Sequence, residues 1–266
     1  MPVQLPPIDD VETLMWRVGA LLLGLLVGSF ANVCIHRLPR RQSVISPASR
    51  CPGCGAAIRA WQNIPVLSWL ALRGRCAACG QSIAWRYPAV EVSNGLLYLA
   101  LAGSFPPGLN AIVAMALATS LLVLALIDLD HQILPDVITL PGIVLGLAAS
   151  TLPGPPTPSV AFGAAIGGFL GFAAVAKLYQ KARDVEGLGQ GDWKMAAMLG
   201  AFFGWQKLLL CVFLATLAGT LVGLGMILIG GQSSRLALPL GTFLGIAAIA
   251  VLFVGDSLLA WYGGFF

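Results

Sequence analysis

Apolar runs of bilayer-spanning length recur through almost the whole chain. About 20 residues suffice for one crossing, because roughly 30 Å of hydrocarbon is traversed at about 1.5 Å per residue. Residues 14–35, 88–104, 109–127, 137–152, 160–179, 208–230 and 236–262 form such runs, and 195–205 is a shorter eighth. Between them they hold most of the chain's apolar residues: of its 266 residues 58% are hydrophobic and only 10% charged. An ordinary soluble domain carries about 25% charged residues. Too little polar surface remains to cover a globule in water, which excludes a disordered chain, a secreted disulfide scaffold and a cytosolic enzyme. The expected fold is an all-α polytopic membrane protein of about eight transmembrane helices, with one small polar domain.

That polar domain is marked by charge. Between His36 and Arg86 lie eight of the 15 basic residues (Arg37, Arg40, Arg41, Arg50, Arg59, Arg73, Arg75 and Arg86) and no Asp or Glu. The rest of the chain carries seven basic residues against 11 acidic ones, so the net charge of +4 arises from this segment alone. By the positive-inside rule it is cytoplasmic, and it can also touch anionic headgroups. The first apolar run has an acidic leading flank (Ile8-Asp9-Asp10-Val11-Glu12) and arginines where a cleavage site would stand. It therefore reads as a retained anchor with its N-terminus outside, not a cleaved signal peptide. The chain thus divides into an N-terminal transmembrane anchor (1–35), a cytoplasmic loop domain (36–87) and a transmembrane domain (88–266).

Continuing the alternation returns the polar stretches 128–136 and 181–194, and the turn carrying Arg235, to the inside. The links 105–109, 153–159 and 205–207 go outside. Nearly every titratable group then lies on one face of the membrane, where ionisable residues are costly to keep. Glycines at four-residue spacing (Gly163, Gly167 and Gly171; Gly219 and Gly223; Gly241 and Gly245) read as helix-packing seams with no chemical role.

The loop domain holds Cys51-Pro-Gly-Cys54 and Cys76-Ala-Ala-Cys79, each pair followed by a glycine, Gly55 and Gly80. Two such knuckles converge four thiolates on a tetrahedral zinc, and the glycine permits the tight turn. Residues 55–75 separate the pairs, slightly more than the usual zinc-ribbon spacing of about 15–20. Two disulfides are the competing reading, but they require an oxidising compartment. A site closed by four thiolates leaves no position for substrate, so this zinc is structural, letting a loop too small for a large core fold. A basic zinc ribbon can bind nucleic acid, but the membrane tether and the lack of a basic helix argue against that partner. Cys34 and Cys211, in apolar runs, read as buried small hydrophobes.

Few carboxylates lie in or beside the apolar runs: Glu91, Asp128, Asp130, Asp136, Asp192 and Asp256. Asp128 ends one run, and Pro135 breaks the chain shortly after it. Asp192 opens another, within Gly187-Leu-Gly189-Gln-Gly191-Asp192-Trp-Lys194. Two aspartates brought together in a low-dielectric site cannot both ionise, and a pair sharing one proton can activate water and protonate a leaving amine. The glycines before Asp192 would permit a bent backbone and close substrate approach. The glycine run as a nucleotide loop lacks the strand that must precede it. Membrane aspartates could instead serve a zinc-stabilised transporter, although the repeated halves and discontinuous helices of transporters are not visible. Glu91, near Arg86, fits an ion pair or a second site, and Asp256 an interfacial group. Asp130 and Asp136 fit helix caps. His36 and His131 are too scattered for a metal site.

The ordered set of motifs resembles the bacterial type IV prepilin peptidases, bifunctional leader peptidase/N-methyltransferases of the GxGD type. It runs from Gly28-Ser-Phe-Ala-Asn32 and Arg37-Leu-Pro39 through Cys51–Cys54, Asn63-Ile-Pro65, Cys76–Cys79 and Arg86-Tyr-Pro88 to Glu91. Asp128-Leu-Asp130, Leu134-Pro135-Asp136 and Gly189-Gln-Gly191-Asp192-Trp-Lys194 complete it. The resemblance implies an aspartic protease that removes the leader of type IV prepilins and type II secretion pseudopilins at the cytoplasmic face of the inner membrane. The same enzyme then methylates the new N-terminal amine with S-adenosylmethionine. It selects Asp128 over Asp130 as the partner of Asp192, and places Gly189, Gly191 and Lys194 around the second aspartate. For the methyl-transfer half the candidate residues are Asn63, Glu91 and Asn94.

Overall fold

The computed structural model describes residues 11–154, 156–184, 188–229 and 238–264. The sequence readings at Asp9, Asp10, Gly187 and Arg235 lie outside them. Among the described residues there are helices and no strand, only isolated bridges pairing Arg50 with Ala57 and Arg75 with Ser82. The α-helices are α1 (Val11–Arg37), the short α2 (Leu67–Ala71), α3 (Arg86–Ser104), α4 (Leu109–His131), α5 (Asp136–Ala149), α6 (Pro158–Arg183), α7 (Gln190–Leu228) and α8 (Leu240–Gly263). The chain divides into two units, residues 3–119 and 120–266, with the boundary inside α4.

In the first unit α1 lies along α3 because its buried stripe is small: Ala20, Gly24, Gly28 and Ala31, with Ile35 closing it. A Cβ on Gly24 would stand 2.8 Å from Tyr98 Cβ, and one on Gly28 would stand 2.8 Å from Glu91 Cα. Backbones this close are the lipid-phase substitute for a hydrophobic driving force. Polar bonds add to the contact. Trp16 Nε1 donates to Ala102 O at 3.1 Å, and the fully buried Asn94 donates to Gly24 O at 2.7 Å while accepting from the Thr119 hydroxyl at 2.8 Å.

In the second unit α7 packs against α5, α6 and α8. A Cβ on Gly168 of α6 would meet Ala196 O of α7 at 2.8 Å, and Trp193 meets Phe169 edge-on with ring centroids 5.9 Å apart. α7 is broken at Gly204, whose φ of 71° suits glycine and few other residues. The sequence runs 195–205 and 208–230 are therefore two helical segments meeting at Gly204: a Cβ on Gly168 would lie near both Ala196 O at 2.8 Å and Leu208 Cδ2 at 3.0 Å, which one continuous helix could not bring together.

Among the described residues, five helical stretches are long and apolar enough to cross a membrane: Val11–Arg40, Leu109–His131, Pro158–Ala182, Gln190–Leu228 and Leu240–Gly263. About eight were expected from the sequence. α3 is diluted by Arg86, Glu91, Ser93 and Asn94, α5 has only 14 residues with Pro141 inside, and α7 contains two of the expected runs separated by the break at Gly204. Leu22, Leu26 and Phe30 on α1 and Phe162, Ile166 and Leu170 on α6 are exposed, an apolar exterior suited to acyl chains.

The glycine seams are used unevenly. Gly163, Gly167 and Gly171 have no neighbour within 4 Å of an added Cβ, so they do not form the expected seam; Gly168, on another side of α6, makes the close approach instead. Gly219 and Gly223 do meet Phe243 and Leu238.

Candidate active site and metal centre

The cysteine loop is built from two copies of one turn. In the first, Cys51 N–H donates to Ala56 O and Gly55 N–H to Cys51 O, each at 2.9 Å. In the second, Cys76 N–H donates to Gln81 O at 2.8 Å and Gly80 N–H to Cys76 O at 2.9 Å. Gly55 and Gly80 take φ of 70° and 73°, a conformation that a Cβ would strain. All six cysteines are free, and the sulfurs of Cys51, Cys54, Cys76 and Cys79 lie within 4.8 Å of one another. The Cys51–Cys79 Sγ separation is 3.8 Å. A tetrahedral ion with bonds of about 2.3 Å to sulfur has edges of about 3.8 Å, so the four sulfurs can hold one metal ion.

The thiols are already electrostatically differentiated. N–H bonds from Cys79 and Ala78, and then the Cys51 sulfur, bring Cys76 down to about 6. The Gln81 N–H pulls Cys79 down too, but bonds with the Cys54 sulfur, burial, and the Cys76 and Cys51 sulfurs together push it up to about 11.

The aspartates meet at the other candidate site. α4 ends where Gln132 turns left-handed, at φ 53°, and returns its N–H to Asp128 O at 2.8 Å. This leaves Asp128 in the last turn, buried, while Asp130 is exposed. Asp192 is the third residue of α7 and accepts the Gly189 N–H at 3.1 Å, an acidic side chain capping its own helix. Gly191 is a contact glycine: its Cβ would stand 2.8 Å from Leu134 Cβ. Gly191 admits the Leu134 side chain, Gly189 is extended at φ −72°, ψ 152°, and both line the cavity that holds the aspartates.

Asp128 and Asp192 line one cavity of about 270 Å³, together with Gln132, Leu134, Asp136, Gly189 and Gly191. Lys194 reaches across its rim from α7 to the first residue of α5, with Nζ 2.7 and 2.8 Å from the two carboxylate oxygens of Asp136. Two carboxylates lining one cavity roomy enough for water and a substrate segment can hold a water and move its protons.

Comparison with known proteins decides the family. Residues 22–105 match the Bacterial Peptidase A24 N-terminal domain, and residues 115–224 match the Type IV leader peptidase family. A prepilin leader peptidase/N-methyltransferase of Pseudomonas putida is 42% identical over 91% of each chain. The chain belongs to the type IV leader peptidase family. Proteins of the same name from Pseudomonas aeruginosa and Burkholderia pseudomallei are 38% and 37% identical, covering 91% and 96% of this chain and 91% and 90% of theirs. No solved structure matches the chain significantly.

The other candidate residues of this leader peptidase family member lie in the unit of residues 3–119. Glu91 is buried and accepts the Val66 N–H at 2.8 Å, with Ser29 also bonding its carboxylate. Val66 itself takes φ 62°, ψ −51°, an outlier for a β-branched residue. The Ile64–Val66 turn thus connects Glu91 to Asn63, which is exposed. Asn94 is fully enclosed by its bonds to Gly24 and Thr119, so it braces α1, α3 and α4. Sequence reasoning missed the Lys194–Asp136 ion pair, as well as Thr242, whose N–H donates to Asp128 Oδ2 at 2.7 Å.

Proposed function

We propose that this protein cleaves the leader from type IV prepilins and type II secretion pseudopilins, and then N-methylates the exposed amine with S-adenosylmethionine. The observation that carries the reading is the meeting of Asp128 and Asp192, from opposite ends of two different helices, at one cavity. Membership of the leader peptidase family and the names of its relatives support the substrate class and the second activity.

The substrate's apolar helix approaches laterally from lipid, and its polar leader stays in the cytosol. With one proton held between Asp128 and Asp192, the unprotonated carboxylate takes a proton from water as the oxygen attacks the scissile carbonyl. The protonated carboxyl then gives its proton to the departing amine, which returns the pair to its starting state. No acyl-enzyme intermediate forms. A transporter reading gains nothing from the break in α7, since Gly204 does not line the aspartate cavity.

Cys51, Cys54, Cys76 and Cys79 hold a structural zinc that fixes the loop. S-adenosylmethionine supplies an electrophilic methyl group. Glu91, holding the Ile64–Val66 turn, supports the surface carrying Asn63 for that half-reaction. The arginine-rich loop and the aspartate site face the cytoplasm, with the N-terminus outside, as the charge distribution favours.

Mass spectrometry of a co-expressed prepilin tests both activities together. The reading predicts a product lacking its leader and carrying one methyl group on the new N-terminus. A full-length prepilin after co-expression with active-site-intact protein would overturn it.

A further inference from the structure

The geometry points to the first turn of α8, Leu240-Gly241-Thr242, as the element that positions Asp128 for catalysis. This inference rests on the reading of Asp128 as one of the reacting carboxylates. The first N–H groups of any helix lack an intrahelical acceptor. Here the Thr242 N–H donates to Asp128 Oδ2 at 2.7 Å, and the Gly241 N–H also bonds the carboxylate. The Thr242 hydroxyl lies 3.2 Å from the same oxygen and 3.0 Å from Ala125 O, which links the turn to the backbone of α4. Asp128 therefore satisfies donors that would otherwise be stranded in a buried place, and it faces the positive end of the α8 dipole.

Such closeness is suited to glycine at position 241, since any side chain there would push on its neighbours. A Cβ there would stand 3.0 Å from both Cγ and Oδ2 of Asp128, and 3.0 Å from Leu134 Cδ1. One turn along, a Cβ on Gly245 would meet Ala125 Cβ at 3.0 Å and Leu121 O at 3.2 Å. The two glycines thus form one seam against α4 whose far end is the carboxylate. Read from sequence as packing alone, Gly241 instead touches the reacting group. Asp192, by contrast, is held from within its own helix by the Gly189 N–H. Asp128 is positioned by a separate helix, so movement of α8 changes the geometry of the pair.

Gly241→Ala and Gly245→Ala in the full-length protein separate positioning from packing. Both crowd α4, but only the first displaces the carboxylate. With a leader-bearing pilin, Gly241→Ala should lower kcat about tenfold or more with KM nearly unchanged, the scale expected for a small misplacement of a catalytic group. Gly245→Ala, which crowds α4 without touching the carboxylate, should lower kcat several-fold less than Gly241→Ala does. Equal effects of the two on kcat, or a wild-type kcat for Gly241→Ala, overturn the inference. A second measurement stands apart from activity and from the folding of either glycine variant: in ¹⁵N-labelled protein, Asp128→Asn should shift the Gly241 and Thr242 amide resonances more than that of Gly245. Unmoved Gly241 and Thr242 resonances also overturn it. Normal cleavage by Asp128→Asn with those amides shifted would refute the catalytic reading while leaving the contact intact.

Discussion

The Lys194–Asp136 ion pair offers a double-mutant cycle at the rim of the aspartate cavity. Lys194 Nζ meets both oxygens at 2.7 and 2.8 Å, with the side chains 24% and 54% exposed. Exposed pairs are worth about 0.2–1 kcal/mol. The two-pronged geometry and partly buried lysine put this one near the top of that range, about 1 kcal/mol or a factor of about five. In Lys194→Met, Asp136 remains half exposed and can hydrate, so the cost is that of the pair and not of a stranded charge. The bridge ties the first residue of α5 to the first turn of α7, where Asp192 sits, so its loss should register in catalysis. The assay is cleavage of a leader-bearing pilin by wild type, Lys194→Met, Asp136→Asn and the double variant in bilayer discs. Each single variant should lose about fivefold in kcat/KM, and the double should be no slower than the worse single. The coupling should shrink at about 1 M salt, where the screening length falls to about 3 Å. Single effects that simply multiply in the double variant would refute the reasoning.

The same geometry sets three further outcomes. Zinc affinity of the cysteine loop should fall as pH falls, because protons compete for thiolates; the fall should be steepest below about pH 6, where Cys76 also takes a proton. A competition titration with a chromophoric chelator measures this, and a pH-independent affinity would contradict it. Asn94→Leu should cost about 2 kcal/mol by removing the bonds to Gly24 O and Thr119, seen as a lower thermal midpoint. Gly191→Ala should cost about 1–3 kcal/mol by forcing a Cβ against Leu134, and cleavage should slow as the cavity is distorted.

What could be read from the chain beforehand divides by the range of the interaction. The cysteine turns were legible because each is local: two cysteines three apart and a glycine dictate the same turn twice. The start of α7 at Gln190 was not: from sequence alone Asp130 and Asp136 fit helix caps, whereas Asp192 accepts the Gly189 N–H and α5 has no side-chain cap. That Asp128 and not Asp130 faces the cavity came from the family pattern, because α4 is apolar on every side and its periodicity names no face. The same uniformity hid the pairing of Lys194 with Asp136 and of Asp128 with Thr242, which depends on how two featureless helices are rotated against each other. It also misassigned the glycines of α6: four-residue spacing marks Gly163, Gly167 and Gly171, whereas the contact is made by Gly168. The polar residues of α3 make it less apolar than the other long helices, and the break at Gly204 falls between the two runs 195–205 and 208–230 that the sequence separates.

The shared role of the two aspartates is tested most directly by single-turnover cleavage with purified Asp128→Asn and Asp192→Asn, each verified as folded by its thermal midpoint. The account predicts that neither variant releases leader from a bound prepilin while both still bind it. Leader release at the wild-type rate by either one would contradict it.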